Sequence, residues 1–315
     1  MPEETLLVAD VGGTHSRFAL AAGAGGWPRL RCHREFANDG VADIAAQLRR
    51  YLEQLPAGPR PAACLAVAGP VTGDCARLTN RPWRIDGPAL AAEFGLPRAT
   101  VVNDFAALAA AVAFLPGAAR QTLQAGKPVY GAPLAVVGPG TGLGAALVVN
   151  PGPDQTVLAT EGGHVDFAAS SERDWALREG LSRELGRAVS AEDVLRGDGL
   201  ARLYRELGGD ALDPARVSAA RAVDARAGAA VDWYLSLLGR FAGDTVLASG
   251  ATGGLFLGGG VLPRLAAALP ASPFLDSLAD KGVMSDVVRR APVHLVTDAR
   301  AALAGAFFAG RGGHI

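Results

Sequence analysis

The sequence predicts an α/β protein with two lobes. Short apolar runs rich in Val, Leu and Ala end at glycines or polar residues and lead into Ala- or Leu-rich segments of helical periodicity. At 315 residues the chain exceeds the usual size of one hydrophobic core, so we expect two lobes. An apolar run, a glycine turn with threonine and a second apolar run occur at residues 6–21 and again at 134–149, which indicates an internal duplication.

Composition excludes several classes of protein. Half of the residues are hydrophobic, 19% are charged and the net charge is −1, so nothing indicates a nucleic-acid-binding surface. The cysteines Cys32, Cys64 and Cys75 form no CxxC pair, which argues against a disulfide framework or a cysteine zinc site and favours a reducing compartment. Without a signal-peptide pattern or an apolar run long enough to span a bilayer, we expect a soluble, cytoplasmic protein with no membrane partner.

The first glycine turn joins two predicted strands, residues 5–9 and 17–21. In the turn, residues 12–14 (Gly-Gly-Thr) leave backbone N–H groups unobstructed and add a hydroxyl, and such a turn can wrap a phosphate. Asp10 stands at the end of the first strand, where it could hold Mg²⁺ through water. A plain Gly-Gly hairpin is the structural alternative.

A predicted strand ends at Val102 and is followed by two polar residues, Asn103 and Asp104, and then by a predicted Ala-rich helix. Before it, we predict a helix over residues 41–55, a buried strand over 63–68, a loop over 71–86 and a short helix over 88–94. Open α/β sheets bind ligands at the carboxyl ends of their strands, and an amide beside a carboxylate can bind two hydroxyls. The alternative is that Asp104 is only the N-cap of its helix.

The second glycine turn, residues 138–144, lies between predicted strands at 134–137 and 145–149. Four glycines in seven residues cost conformational entropy that packing hardly explains, so we favour a phosphate-binding role. The pattern is neither a GxxxxGK[ST] loop nor a GxGxxG turn. Downstream, Glu161 and His164 flank two glycines and suit the recognition of hydroxyls, although a surface turn is the alternative.

Two capping boxes, Ser171 with Asp174 and Ser190 with Asp193, start helices. The second box places Glu192 in a first helical turn, where the helix dipole favours it without any ligand. From the residues alone Glu192 is therefore structural.

The rest of the chain completes the α/β pattern. We predict a mostly helical region over residues 214–249, a strand that runs into the triple glycine 258–260, a helix from about Pro263, a strand over 294–296 and a helix over 298–308. Three consecutive glycines before a helix suit the close approach of a flat ring or a ribose.

Together these motifs resemble those of the bacterial glucokinase family, within the hexokinase/actin-like sugar kinase superfamily. The resemblance rests on eight motifs in family order: Asp10-Val11-Gly12-Gly13-Thr14, Ala68-Gly69-Pro70, Thr79-Asn80, Val102-Asn103-Asp104-Phe105, Gly138-Pro139-Gly140-Thr141-Gly142-Leu143-Gly144, Glu161-Gly162-Gly163-His164-Val165-Asp166-Phe167, Val189-Ser190-Ala191-Glu192 and Gly258-Gly259-Gly260. Each motif alone is modest evidence, whereas eight in order with suitable spacing are specific.

The resemblance implies two ribonuclease-H-like (actin/hexokinase-type) α/β lobes around a central cleft. The small lobe would hold residues 1–112 and 299–315, and the large lobe residues 113–298. By similarity the sugar hydroxyls would be bound by Asn103, Asp104, Glu161, His164 and Glu192, with Asp104 as catalytic base. The nucleotide would be bound by Asp10, Gly12, Gly13, Thr14, Gly140, Thr141, Gly142, Gly258, Gly259 and Gly260. Only the resemblance gives Glu192 a functional role.

The implied activity is phosphorylation of glucose by ATP at the 6-hydroxyl, with Mg²⁺, in a homodimer. His15 stands where many relatives carry Asn, which puts the binding mode of the first phosphate loop in doubt. The cysteine-rich zinc motif of the repressor/ORF/kinase group does not follow His164, so we expect no structural zinc. We also expect no DNA-binding extension before the first strand. A catalytically weak sugar-binding regulator and a kinase for a related hexose are the alternatives.

Overall fold

The computed structural model describes residues 4–79 and 81–312. Asn80, in the predicted Thr79-Asn80 motif, lies outside the described residues. The strands are β1 (Glu4–Val11), β2 (His15–Gly23), β3 (Arg29–Ala37), β4 (Ala63–Val67), β5 (Val71–Thr72), β6 (Cys75–Arg77), β7 (Arg84–Asp86), β8 (Ala99–Asn103), β9 (Arg120–Gln124), β10 (Leu134–Pro139), β11 (Leu143–Val149), β12 (Thr156–Thr160), β13 (Gly254–Leu257) and β14 (Val293–Val296).

The helices lie between and after these strands. They are α1 (Ile44–Leu52), α2 (Gly87–Phe94), α3 (Asp104–Val112), α4 (Glu172–Leu185), α5 (Ala191–Leu195), α6 (Gly199–Glu206), α7 (Pro214–Ala220), α8 (Ala225–Ser249), α9 (Leu262–Leu265), α10 (Phe274–Ala279), α11 (Ser285–Arg290) and α12 (Ala301–Gly310). None of the helices within residues 4–79 and 81–312 is both long and apolar enough to cross a bilayer.

The chain divides into two compact units. Unit 1 comprises Met1–Arg120, Leu147–Ala159 and Asp298–Ile315, and unit 2 comprises Gln121–Ala146 and Thr160–Thr297. Strands and helices occur in both, which confirms the predicted α/β class. Lobe boundaries at residues 112 and 298 stay a prediction.

The first sheet has the strand order β3-β2-β1-β4-β8. β1 pairs antiparallel with β2 and parallel with β4, and β4 pairs parallel with β8. Leu7 and Val11 pack into a cluster with α1 and α2, whereas Leu6 and Val8 pack into a cluster with α3 and α12. Because helices cover both faces, the central strands are apolar along their length instead of alternating with polar residues.

The pairing of β1, β4 and β8 places polar residues at one edge of this sheet. Val11 is opposite Val67, and Val67 is opposite Asn103, so Asp10 in β1 and the Asn103-Asp104 pair at the end of β8 lie at the same end of parallel strands, with β4 between them. α12 packs closely on α3: Gly305 lies so near the carbonyl oxygen of Ala107 that a Cβ at this position would overlap it.

The second sheet has the order β12-β11-β10-β13-β14-β9. β10 pairs parallel with β13, and β13 with β14. Numbered in chain order from β10, the strands β12, β11, β10, β13 and β14 are the third, second, first, fourth and fifth, which is the spatial order of the first sheet as well. β9 adds an edge strand beside β14. The predicted internal duplication is therefore present in the topology of the two sheets.

Two predictions of local structure are wrong, and one strand was not predicted. Residues 71–86 are not a loop, because β5, β6 and β7 form a small antiparallel sheet there. β3 was not predicted: Leu30, Cys32 and Phe36 alternate with charged residues, but Arg34 interrupts the alternation in this arginine-rich edge strand. The helix expected from Pro263 is only the four residues of α9.

Candidate active site

The first glycine turn is held from one side by hydrogen bonds to its carbonyl oxygens. Asn38 Nδ2 donates to the carbonyl of Gly12 at 2.8 Å, and the Asn38 backbone N–H donates to the carbonyl of Thr14 at 2.8 Å. The Arg81 guanidinium donates to the carbonyl of Gly13. Three successive carbonyl oxygens therefore accept hydrogen bonds from Asn38 and Arg81. Their partial negative charge is offset, so it does not repel an anion bound at the turn.

Asn38 is fixed by a buried polar network. Its Oδ1 accepts from Ser16 Oγ at 2.9 Å and from Gln47 Nε2 at 3.0 Å, and all three side chains are fully or almost fully buried. A buried network with its polar groups paired specifies one geometry. His15, the departure from the family pattern, has its Nδ1 at 3.1 Å from Thr14 Oγ1 and so contacts the turn's own hydroxyl.

The carboxylate of Asp10 is tied to an arginine on the neighbouring strand. Arg17 Nη1 donates to Asp10 Oδ2 at 3.1 Å, and Arg17 Nη2 donates to Glu35 Oε1 at 3.0 Å. Burial raises the pKa of the Asp10 carboxyl, while the charge and hydrogen bond of Arg17 oppose that rise. One arginine therefore both orients Asp10 and partly offsets its charge.

Asp104 is the first residue of α3, and its N-cap is Asn103. Asn103 Oδ1 accepts from the N–H groups of Phe105 at 2.9 Å and Ala106 at 3.1 Å, so the alternative that Asp104 caps the helix is wrong. Burial, and then the negative charge of Asp10, raise the pKa of Asp104 to about 7, although the Phe105 N–H bonds its carboxylate at 2.9 Å. Such a perturbed pKa is typical of an acid–base residue.

The side chain of Asn103 has little hydrogen-bonding capacity left for a ligand. Both lone pairs of Oδ1 serve the helix cap, and Nδ2 donates to the carbonyl of Gly69 at 3.3 Å. One N–H of the amide remains. The predicted contact between Asn103 and a hydroxyl is therefore limited to donation by that N–H.

In unit 2 the second glycine turn packs against the triple glycine. Gly258 N–H donates to the carbonyl of Val137 at 3.0 Å, and a Cβ on Gly138 would overlap the carbonyl of Gly258. Gly259 has a φ of +90°, which only glycine adopts readily. The expectation that packing would not explain the glycines of residues 138–144 is therefore wrong for Gly138.

Gly142 also has a packing reason, because a Cβ there would overlap Glu192 Oε2. Gly140 differs: the nearest atom to a Cβ on it is Gly260 N at 4.0 Å. Its N–H donates to the carbonyl of Gly142 at 2.7 Å, and Thr141 at the tip of the turn is exposed. Residues 140 and 141 therefore form the open part of the turn.

Three titratable side chains converge beside this turn. His164 Nε2 lies 3.8 Å from Glu161 Oε2 and 3.9 Å from Glu192 Oε1. Glu161 and His164 are 75% and 58% exposed, whereas Glu192 is 24% exposed. Two carboxylates and an imidazole form a set of acceptors and a donor that fits several hydroxyls at once.

Backbone pairing holds this cluster together. The N–H of Ala191 donates to the carbonyl of Val165 at 2.8 Å, which brings His164 beside the first turn of α5. The predicted capping box of Ser190 and Asp193 is confirmed. Burial raises the pKa of Asp193, but hydrogen bonds from Arg187 and Ser190 outweigh it and lower that pKa to about 2. The turn that carries Glu192 is thus anchored at its start.

The predicted site residues form two groups. In unit 1 the structure gathers Asp10, Gly12, Gly13, Thr14, Asn103 and Asp104. In unit 2 it gathers Gly140, Thr141, Gly142, Glu161, His164, Glu192 and Gly258–Gly260. Sequence reasoning missed Arg17, Asn38 and Arg81. Arg17 had a signal, a charged residue inside an apolar strand, whereas Asn38 and Arg81 lie in polar segments without one.

Comparisons with known proteins agree on one family. The family model described as Glucokinase matches residues 7–312. A glucokinase of Chromobacterium violaceum is 38% identical over 307 residues, which is 95% of this chain and 87% of that protein.

Solved structures show the same fold. A glucokinase from an Antarctic psychrotroph superposes with a TM-score of 0.85 at 35% identity, covering 98% of this chain and 99% of that one. A ROK family glucokinase from Streptomyces griseus, in complex with glucose and AMPPNP, superposes with a TM-score of 0.70 at 18% identity, covering 98% and 100%. The resemblance inferred from the motifs and the enzyme class, a kinase, are confirmed: the chain belongs to the glucokinase family.

Proposed function

We propose that the protein transfers the γ-phosphoryl group of ATP to the 6-hydroxyl of glucose, giving glucose 6-phosphate and ADP, with Asp104 as general base. The observation that carries this proposal is the environment of Asp104, a carboxyl at the end of a parallel strand whose burial and neighbour Asp10 raise its pKa to about 7. A base with a pKa near the operating pH combines ionisation with proton affinity. The Streptomyces relative bound to glucose and AMPPNP supports both substrates.

In the proposed step, the ionised Asp104 accepts the proton of the 6-hydroxyl as its oxygen bonds to the γ-phosphorus. The bond from the γ-phosphorus to the bridging oxygen breaks, and ADP leaves with that electron pair. General-base assistance of this kind contributes typically about 10²–10⁴-fold. The rest of the work is positioning and charge stabilisation, as in other phosphoryl transfers.

The sugar would be bound by the cluster in unit 2 together with Asn103. Carboxylates of Glu161 and Glu192 accept hydrogen bonds from hydroxyls, and Asn103 offers its remaining N–H. Because a sugar that lacks a hydroxyl would leave a carboxylate acceptor unpaired, this set can discriminate between hexoses.

The nucleotide would be bound by the glycine turns. The carbonyls of Gly12, Gly13 and Thr14 are engaged by Asn38 and Arg81. Because the Gly12 N–H donates to the carbonyl of His15 at 3.0 Å, the phosphate contacts that we propose are those of the N–H groups of Gly13 and Thr14. Residues 140–142 and 258–260 would complete the contacts to phosphates and adenosine.

We propose that Asp10 would hold Mg²⁺ through water. Within the described ranges no three His, Cys, Asp or Glu side chains gather to hold a metal by themselves. Mg²⁺ commonly takes one or two carboxylates with phosphates and waters, and Asp10 supplies a carboxylate at the first turn. When bound with ATP, the ion neutralises charge on the phosphate oxygens.

The test is ADP formation from Mg-ATP with glucose, mannose, N-acetylglucosamine and N-acetylmannosamine, and without sugar. We expect the highest kcat/KM with glucose and a product phosphorylated at the 6-position by NMR. Glucose binding without ADP formation would replace the proposal by a regulatory role. A higher kcat/KM with another hexose would replace glucose as the substrate.

The proposal includes a homodimer, which the family resemblance implies. Light scattering of the purified protein should give the mass of two chains. A monomer at micromolar concentration would contradict this part of the proposal.

A further inference from the structure

The second glycine turn is hydrogen-bonded to a carboxylate of the proposed sugar site. The N–H of Leu143 donates to Glu192 Oε2 at 2.8 Å, and the other oxygen, Oε1, lies 3.9 Å from His164 Nε2. Hydrogen bonds from N–H groups to carboxylates are stronger than hydrogen bonds between two neutral groups. One side chain therefore joins the backbone of a phosphate turn to the residues proposed to bind sugar.

Two glycines make room for this connection. A Cβ on Gly142 would overlap the Glu192 carboxylate, and a Cβ on Gly163 would overlap the carbonyl of Leu143. The Leu143 peptide thus lies between the turn at residues 161–164 and the first turn of α5. Any side chain at position 142 must displace the carboxylate or the turn.

We propose that the turn at residues 140–143 is a positioning element of the sugar site, in which Gly142 and the Leu143 N–H set the orientation of Glu192. Gly142 then determines the affinity for glucose without touching glucose. The inference rests on the proposed function, because it requires that Glu192 binds the sugar. A carboxylate held through one oxygen loses little further freedom when the other oxygen binds a hydroxyl, and such preorganisation raises affinity.

A consequence is coupling between the two substrates. A ligand that shifts the peptide between Gly142 and Leu143 also shifts Glu192, so nucleotide at this turn changes glucose affinity, and glucose changes nucleotide affinity by the same factor.

The test measures the Kd for glucose without nucleotide by isothermal titration calorimetry, in wild type, Gly142→Ala and Gly140→Ala. Both variants add one methyl group to the same turn, but only at residue 142 does it meet Glu192. Loss of a hydrogen bond to a charged group predicts a Kd raised about tenfold or more in Gly142→Ala. Gly140→Ala should keep a Kd within about twofold of wild type, whatever it does to nucleotide binding.

A double-mutant cycle shows whether the effect passes through Glu192. Glu192→Ala alone should weaken glucose binding. In that background Gly142→Ala should add less than about a twofold further loss, because no carboxylate remains to be displaced. Thermal unfolding of each variant identifies any that does not fold, and the glucose Kd of folded protein decides the question.

The outcomes separate the inference from the proposed function. Wild type that does not bind glucose overturns the proposed function and the inference with it. Wild-type binding with an unchanged Kd in Gly142→Ala overturns the inference alone, as do equal losses in Gly142→Ala and Gly140→Ala. Multiplicative losses in the cycle also overturn it, because they mean that Gly142 acts independently of Glu192.

Discussion

Asp104→Asn should remove activity and, above neutral pH, stabilise the fold. The side chain is half-buried and lies near Asp10, and desolvation and the Asp10 charge together raise its pKa from 3.8 to about 7. Asparagine keeps an oxygen that can accept the hydrogen bond from Phe105 N–H, but it carries no charge. The substitution therefore removes the base and the unfavourable buried charge together.

The magnitude follows from proton linkage. A carboxyl whose pKa is raised in the folded state does not penalise folding below its unfolded pKa. The penalty grows as the pH rises toward the folded pKa and is constant above it. The pKa is 3.8 in the unfolded chain and about 7 in the folded protein, and each pKa unit corresponds to about 1.4 kcal/mol. The penalty on the free energy of folding is therefore about 3 kcal/mol larger at pH 8 than at pH 5. The free energy of unfolding of Asp104→Asn, relative to that of wild type, should thus rise by about 3 kcal/mol from pH 5 to pH 8.

Urea unfolding of wild type and Asp104→Asn at pH 5, 6, 7 and 8 measures this difference. Asp193→Asn is the matched control, because hydrogen bonds from Arg187 and Ser190 lower the pKa of Asp193 to about 2 against the effect of burial. Its stabilising contribution is lost only as the pH falls below about 4 toward 2, so the stability difference for Asp193→Asn should be constant from pH 5 to 8.

A stability difference between wild type and Asp104→Asn that stays the same from pH 5 to pH 8 would contradict a raised pKa of Asp104. It would mean that Asp104 ionises as freely in the folded protein as in the unfolded chain, and that the fold does not tune the proposed base. A pH-dependent difference in Asp193→Asn as well would assign the effect to the whole protein instead of to Asp104.

The pH dependence of catalysis, the support of the first glycine turn and the ion pair of Asp174 can each be tested. The kcat/KM for glucose should fall about tenfold per pH unit below about pH 7, because only ionised Asp104 accepts a proton; a flat profile from pH 6 to 8 would contradict this. Arg81→Gln should raise the KM for ATP and leave the glucose Kd unchanged, because Arg81 holds the carbonyl of Gly13, whereas the exposed Arg84→Gln should change neither; an equal rise in both variants would refute the role of Arg81. Asp174 is fully buried, and Arg240 Nη1 donates to its Oδ2 at 2.7 Å. Asp174→Ala should destabilise the protein by about 3–5 kcal/mol in urea unfolding, because it leaves Arg240 without its counter-ion; a loss below about 1 kcal/mol would contradict a stabilising role of this ion pair.

Local sequence patterns located the elements that carry the site. The apolar runs before Gly12, Asn103 and Gly138 are strands, and the polar or glycine residues follow at their ends. These features depend on near neighbours in the chain, so periodicity and turn chemistry suffice to predict them. The edge strand β3 has an alternation that Arg34 interrupts, and it was missed.

Contacts distant in sequence could not be predicted in this way. Arg81 and Gly13 are 68 residues apart, and nothing near either residue indicates that they meet. The raised pKa of Asp104 depends on burial and on Asp10, and the pairing of β1, β4 and β8 brings these two residues to the same edge of the sheet. Glu192 is similar: the residues around it predict a helix start, and only the folded chain brings it to Leu143.

The role of Asp104 as the base of a glucose-phosphorylating kinase can be tested on the reaction itself. The most direct measurement is glucose 6-phosphate formation from Mg-ATP at pH 8 by wild type and Asp104→Ala, with the glucose Kd of each measured on the same preparations. We predict that the variant loses at least about 10²-fold in kcat while its Kd for glucose stays within about tenfold of wild type. A variant that retains wild-type kcat, or a wild type that binds glucose and forms no product, would contradict the account.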